Sequence, residues 1–341
     1  MSEANRTEAE GTGRGGGVAA PAIRTLTEGS RAALWLAERR LWLQGARKRA
    51  VFRRLAPRFE PLYRALSAFP FDDLVTPLWQ RFNATMERAM LPRPRPDFLR
   101  LSVIKQTMFV DARGRWLSDQ LAYLERRLGP QFVSAVARDA AVGRPPLALA
   151  SPPASHNTVH HLTHLARFAE LSGADPATLD TVVEWGGGYG NLARLLATWR
   201  AAAGATRPLT YTIIDTPLFC ALQWLYLSSV YGEPRVHVLR GAADAVRTGC
   251  FNLVPAGLAR TLQPALGRAG LFVSTWALSE CSPAAQDWVA GHWFGAPRLL
   301  LAFQESTPDL PHAGRIRGLA QSAGARIDPL PHPPGNSYAI R

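Results

Sequence analysis

Three groups of residues in this sequence have the types and spacing to do chemistry. The first is a cluster of four histidines, His156, His160, His161 and His164, half of the eight in the chain. Read as a helix, His161 and His164 lie three apart and His160 and His164 four apart, so each pair shares a face. An imidazole accepts a proton near neutral pH without a large pKa shift, which makes His161 and His164 the expected general bases and His160 a substrate contact. The second group is Trp276-Ala277-Leu278-Ser279-Glu280. Glu280 ranks below the histidines as a base, because a carboxylate needs deep burial to raise its pKa enough. Its plainer role is an acid favoured near the helix start at Ser282. The third group follows the β-branched run Thr181–Val183: Glu184-Trp185-Gly186-Gly187-Gly188-Tyr189-Gly190-Asn191. Glycines there let the backbone approach a ligand, and the helix they open offers free N–H groups.

Two more acids belong with that turn. Asp215 ends the apolar run Leu209–Ile214, where a carboxylate can accept hydrogen bonds from both hydroxyls of a ribose or, more plainly, serve a turn or helix cap. Asp244 follows a further strand at Val236–Leu239 and is the candidate for an adenine amine. The ligand is a nucleotide-like molecule, but not of every kind. A dinucleotide fingerprint reads G-x-G-x-x-G, and here the third glycine, Gly190, comes one residue early. A P-loop needs Lys-Ser or Lys-Thr after its glycines, and none follows.

The spacing acid-x-Gly-x-Gly-x-Gly resembles the first motif of class I methyltransferases. Four segments of the chain also resemble the bacterial sugar O-methyltransferase family: His156–Leu162; Val183–Asn191; Ile214-Asp215-Thr216-Pro217 with Gln223 and Tyr226-Leu227-Ser228; and Ser274–Glu280. The resemblance covers residues 150–341. It implies S-adenosyl-L-methionine as cofactor, with Gly186, Gly188 and Gly190 under its methionine part, Glu184 on its ammonium group and Asp215 on its ribose. It implies a sugar or glycan as the small-molecule acceptor; Trp276, Ser279 and Glu280, just after the 271–276 strand, are placed to form its floor, since an aromatic ring suits the apolar face of a pyranose and carboxylates its hydroxyls. Methyl transfer to a hydroxyl is an in-line displacement that needs alignment and removal of a poorly acidic proton. A divalent metal is the alternative to a base, but spacing fixes no companion carboxylate beside the histidines, so no metal ligand is assigned. Another small acceptor such as a polyketide, or a non-catalytic protein of the same fold binding a nucleotide or partner, stays open.

The elements that must position these residues alternate. Strands are expected at 181–184, 209–214, 236–239, 271–276, 299–303, 326–330 and 337–340, with helices at 191–199 and 217–230. That order predicts an α/β fold, a Rossmann-like class I methyltransferase sandwich. Before it, 23–150 reads as a mainly helical region, with amphipathic patterns at 26–66, 72–91 and 116–128, serving the substrate side or a dimer contact. Gly143–Pro153 reads as a linker and residues 1–22, polar and Gly-rich, as a disordered tail. The 341-residue chain carries a net charge of +13, nearly all of it arginine. Arg31–Arg64 holds ten basic residues against Glu38 and Glu60. The stretch reads as a solvated helical face, or as attraction to an anionic partner. No nucleic-acid motif accompanies it. Three scattered cysteines, no apolar h-region and no transmembrane run of apolar residues place the expected location in the cytoplasm.

Overall fold

The computed structural model describes residues 31–108, 115–262 and 269–341. The tail expected at 1–22 lies outside them, as do residues 26–30 of the first helical pattern. Among the described residues seven α-helices come first: α1 (Arg31–Gln44), α2 (Ala46–Leu55), α3 (Phe59–Leu66), α4 (Pro77–Met90), α5 (Ser102–Met108), α6 (Trp116–Leu128) and α7 (Pro130–Val136). The amphipathic pattern at 116–128 gives α6 with Gln120, Leu121 and Leu124 on its buried side, and Gly129, at φ +81°, ends it. The segment read as a linker contains an antiparallel hairpin, β1 (Leu147–Ala150) and β2 (Pro153–Ser155). Its Pro and Gly content hid strands too short to show an alternation.

The histidine helix α8 (His156–Ser172) follows, with the Ser155 hydroxyl accepting from the Thr158 N–H as N-cap. Then come β3 (Thr181–Trp185), α9 (Asn191–Ala202), β4 (Thr210–Asp215), α10 (Pro217–Tyr231), β5 (Val236–Val238), β6 (Phe251–Pro255), α11 (Ala256–Ala259), β7 (Leu271–Thr275), α12 (Pro283–Trp293), β8 (Arg298–Gln304), α13 (Arg315–Ser322), β9 (Arg326–Leu330) and β10 (Asn336–Ile340). The strands form one eight-stranded sheet in the order β5-β6-β4-β3-β7-β8-β10-β9, parallel except for β10, which runs antiparallel to both neighbours.

This is a doubly wound, Rossmann-like α/β sheet. From β3 the chain builds outward through β4, then crosses back to lay β7 on the other side of β3. The carboxyl end of β3 is therefore the switch point, where such sheets bind their ligands. Alternate residues of each strand face opposite layers: Val182, Tyr211, Ile213, Leu253 and Leu300 face the layer that includes α8, α9 and α10, and Val183, Ile214, Val254 and Leu299 the layer with α12 and α13. Phe52, Leu55, Phe59 and Leu66 of the N-terminal helices join the first layer's cluster. The helical region is thus packed on the sheet's own helices.

The strand β6 departs from the expected set. It inserts beside β4, so the neighbour of β4 on that side is Phe251–Pro255 and the expected third strand, now β5, is pushed to the edge. The apolar run was masked by Asn252, whose buried side chain accepts from the Arg247 N–H at 2.8 Å and donates to the Arg247 and Cys250 carbonyls.

Candidate active site

At the carboxyl ends of β3, β4 and β7 lies a cavity of about 440 Å³, within the usual range for a small-molecule site. The glycine turn forms its base. Gly186 and Gly188 hold φ at +75° and +55°, which only glycine adopts without strain. A Cβ on Gly186 would fall 2.0 Å from the Ala277 Cβ, so the turn is pressed onto the loop after β7. Gly190, at φ +90°, does not line the cavity; it opens α9, and a Cβ there would press on Leu227 of α10 at 3.2 Å.

Two acids face the cavity from the ends of adjacent strands. Glu184 is 1 % exposed and accepts a hydrogen bond from the Tyr211 hydroxyl at 2.9 Å. Burial pushes its carboxyl up to about 8, the Tyr211 bond opposing and the Asp215 charge adding to the rise. Asp215 accepts from Gln223 Nε2 and from the Thr216 N–H, each at 2.8 Å. Burial lifts it to about 7 in spite of those bonds. Among the described residues no Lys or Arg pairs with either acid. Asn157 Oδ1 and Thr216 Oγ1, both on cavity-lining residues, are buried without a hydrogen-bond partner. Asp244 is not brought to the cavity. Its carboxylate accepts from the Arg240 N–H, and the insertion of β6 moves its loop one strand outward; Ala256, after β6, stands at the cavity instead.

The structure separates the histidines. Only His161 lines the cavity. Its Nδ1 faces the Asn191 amide at 3.2 Å, and burial with the nearby Arg194 charge depresses its pKa to about 3. His160 and His164 lie behind Trp276, with ring centroids 5.1 and 5.2 Å from its indole. His160 Nδ1 meets Gln120 at 2.7 Å, and His164 Nδ1 meets the Tyr338 hydroxyl at 2.7 Å. Burial holds both rings well below the ordinary histidine pKa. All three are neutral at pH 7 and weak bases.

Trp276 lines the cavity from a strained position. Its φ is +63°, rare for a bulky residue, and its indole N–H donates to Asn336 Oδ1 at 2.8 Å. Ser279 stays below the surface of the site, its hydroxyl donating to the Trp276 carbonyl at 2.6 Å. Glu280 reaches the cavity. Its Oε2 accepts from the Trp79 indole N–H at 2.7 Å, and burial raises its carboxyl to about 7 against that bond. Burial thus acts in opposite directions on the candidate groups: it lowers the pKa of His160, His161 and His164 and raises that of Glu280.

Trp79 itself was not foreseen, nor were Leu74, Val75, Met108 and Trp116, all lining residues from the helical region. The 73–79 segment is strapped to the Glu280 loop. The Ser282 N–H donates to the Leu74 carbonyl at 3.1 Å, Val75 bridges Cys281, and the Thr76 hydroxyl donates to the Glu280 carbonyl at 3.1 Å. No local pattern announces a contact made across 200 residues. Among the described residues no cluster of three or more His, Cys, Asp or Glu side chains could hold a metal ion, and no helix is long and apolar enough to cross a membrane.

No protein-family model and no curated protein matches the chain. Distant likenesses to solved structures exist. Fibrillarin of Aeropyrum pernix, solved with natively bound S-adenosyl-L-methionine, is 11% identical over 52% of this chain and 73% of that one, with a TM-score of 0.34. Magnesium protoporphyrin IX methyltransferase from Synechocystis, solved with the same molecule, is 13% identical over 72% and 93%, with a TM-score of 0.34. An O-methyltransferase family protein from Burkholderia thailandensis is 15% identical over 82% and 92%, also at 0.34. At such identities and scores the likeness says nothing of chemistry, which rests on the residues of the cavity.

Proposed function

We propose that this chain is an S-adenosyl-L-methionine-dependent O-methyltransferase acting on a hydroxyl of a small molecule, with a sugar ring as the acceptor. The observation that carries the reading is the placing of Glu184 and Asp215 at one switch-point cavity, both pushed upward by burial and neither paired with a cation among the described residues. Such a cavity suits a ligand that brings its own positive charge and hydroxyl donors. The partnerless Asn157 Oδ1 and Thr216 Oγ1 offer further acceptor capacity. A nicotinamide dinucleotide suits it less, since it lacks the ammonium group and its fingerprint places the third glycine differently.

In this reading Asp215 accepts from the ribose hydroxyls, Glu184 holds the ammonium group and the Gly186–Gly188 turn carries the methionine part. When bound, the cofactor supplies a methyl group already activated on its sulfonium. The chain's own work is to orient the acceptor and hold its proton. Trp79 fixes one oxygen of Glu280, and the other, Oε1, is placed to take the proton of the acceptor hydroxyl. His161, neutral and lining the cavity, serves as a hydrogen-bonding contact for the acceptor. Trp276 offers a flat apolar face to a pyranose.

A second acceptor class, a flat apolar ring such as a polyketide, is favoured by the walls Leu74, Val75, Met108, Trp116 and Phe219. The test of both is incubation with S-adenosylmethionine and a panel of nucleotide sugars, glycosides and aromatic polyketides. The expected result is S-adenosylhomocysteine formed together with an acceptor heavier by one CH₂. Cofactor binding without turnover on any hydroxyl-bearing acceptor would argue for a binding protein of the same fold.

A further inference from the structure

Among the described residues three large apolar side chains stay exposed: Trp35 at 54 %, Leu36 at 47 % and Leu43 at 70 %. All three belong to α1 and share one side of it, opposite the buried Ala37 and Leu41. Arg39 and Arg40 stand exposed on that same side, and Arg47 continues it at the start of α2. Arg39 lies over the Trp35 ring at 4.7 Å. Among the described residues no carboxylate pairs with Arg39, Arg40 or Arg47. The nearest acid in sequence, Glu38, is already held by Arg100 at 2.7 Å and Arg144 at 2.6 Å. The cavity uses none of these residues.

We infer that this face of α1 and α2 docks on an anionic lipid bilayer, with Trp35, Leu36 and Leu43 entering the headgroup region and Arg39, Arg40 and Arg47 meeting lipid phosphates. Three features select that occupant. First, exposed apolar side chains interleaved with arginines on one face can enter the headgroup region while the guanidinium groups meet lipid phosphates. Second, a copy of the chain packed on this face by a two-fold axis would set arginine against arginine, with no free carboxylate among the described residues of the face to answer them. Third, a nucleic acid would use the arginines but not Leu36 and Leu43, which neither stack on nor hydrogen-bond to a base, whereas acyl chains accept them. The net charge of +13 draws the whole molecule toward the same kind of surface. The 30 residues before α1 hold only Met1, Val18, Ile23 and Leu26 as large apolar side chains, a meagre cover for the patch.

The test is co-sedimentation of the full chain with sucrose-loaded vesicles of phosphatidylcholine, and of phosphatidylcholine and phosphatidylglycerol mixed two to one. Partitioning should be at least about tenfold stronger on the mixed vesicles. It should fall about tenfold or more in the Leu36→Ala/Leu43→Ala double variant, and equally in Arg39→Glu/Arg40→Glu. All four side chains are exposed, so an unchanged Tm in both variants certifies the fold. Equal partitioning on both vesicles overturns the proposal. So does binding that the leucine variant retains, which would mean charge attraction alone. So does binding lost only on removal of residues 2–30, which would place the contact in the preceding segment. A dimer in sedimentation equilibrium that either double variant dissolves would assign the face to a second copy instead.

Discussion

Replacing Glu280 by Gln separates stability from chemistry at one position. The amide keeps the shape and still accepts a hydrogen bond from the Trp79 indole, but it cannot ionise. The native carboxyl is carried from its ordinary 4.5 up to about 7, chiefly by burial. Because the folded pKa lies above the unfolded one, the native state holds the proton more tightly. Stability is unaffected below about pH 4.5, is lost progressively as the pH rises toward 7, and the loss is complete above that. At about 1.4 kcal/mol per tenfold, the full penalty is about 3 kcal/mol, and access of cavity water trims it to about 2 kcal/mol. The Gln variant escapes it. Urea unfolding should find Glu280→Gln more stable than the native chain by about 2 kcal/mol at pH 8 and within about 0.5 kcal/mol at pH 5. Turnover should fall about 10²–10⁴-fold with cofactor affinity nearly kept, and the limb of the native pH–rate profile near 7 should vanish. A variant that turns over normally removes Glu280 from the base role. A variant no more stable at pH 8 than at pH 5, relative to the native chain, refutes the burial on which the role depends.

Other outcomes follow from the same geometry. Trp79→Phe keeps the ring and removes the donor that favours the charged form of Glu280; the acid limb of kcat should move up by as much as about one pH unit, with KM for the cofactor unchanged. His164→Ala should leave kcat within about threefold at pH 8, because the ring sits behind Trp276 on Tyr338, and its cost should appear as a lower Tm from the cavity it leaves. Gly186→Ala must adopt φ +75° and meet the Ala277 Cβ; a loss of about 1–3 kcal/mol in unfolding free energy is expected, with weaker cofactor binding. Glu184 is protonated in the free protein below about pH 8, so affinity for a cofactor ammonium should climb between pH 6 and 8, by at most about tenfold per pH unit, with a proton released on binding; calorimetry in buffers of different ionisation enthalpy counts that proton.

The parts of the molecule visible in the sequence are those encoded locally. The turn at Gly186–Gly190 declares itself because glycine takes its backbone angles without strain, and Trp116–Leu128 because an apolar face repeats and Gly129 stops it. Asp215 stands out because a buried run ends in an acid. What stayed hidden either breaks a local pattern or is non-local. The strand Phe251–Pro255 carries a buried Asn whose partners lie in the preceding loop, and polar residues inside a strand break the pattern that periodicity detects. Its insertion beside β4 is what leaves Asp244 on the periphery. The protonation of the histidines was hidden for a related reason: the pKa of an imidazole depends on how fully the fold dries it, and His160, His161 and His164 are desolvated together on one helix. The roof of the cavity comes from Leu74, Val75 and Trp79, which meet the Glu280 loop only after the chain has folded back on itself.

The most direct measurement is calorimetric titration of the native chain and of Asp215→Ala with S-adenosylmethionine, with NAD as the control ligand. Saturable binding of S-adenosylmethionine to the native chain is expected, with little heat from NAD. A folded Asp215→Ala protein should bind about 5–150-fold more weakly, the loss of about 1–3 kcal/mol of hydrogen bonding to the ribose hydroxyls. Native-like affinity in the variant would remove Asp215 from the cofactor site. Binding of NAD in place of S-adenosylmethionine would contradict the methyltransferase reading itself.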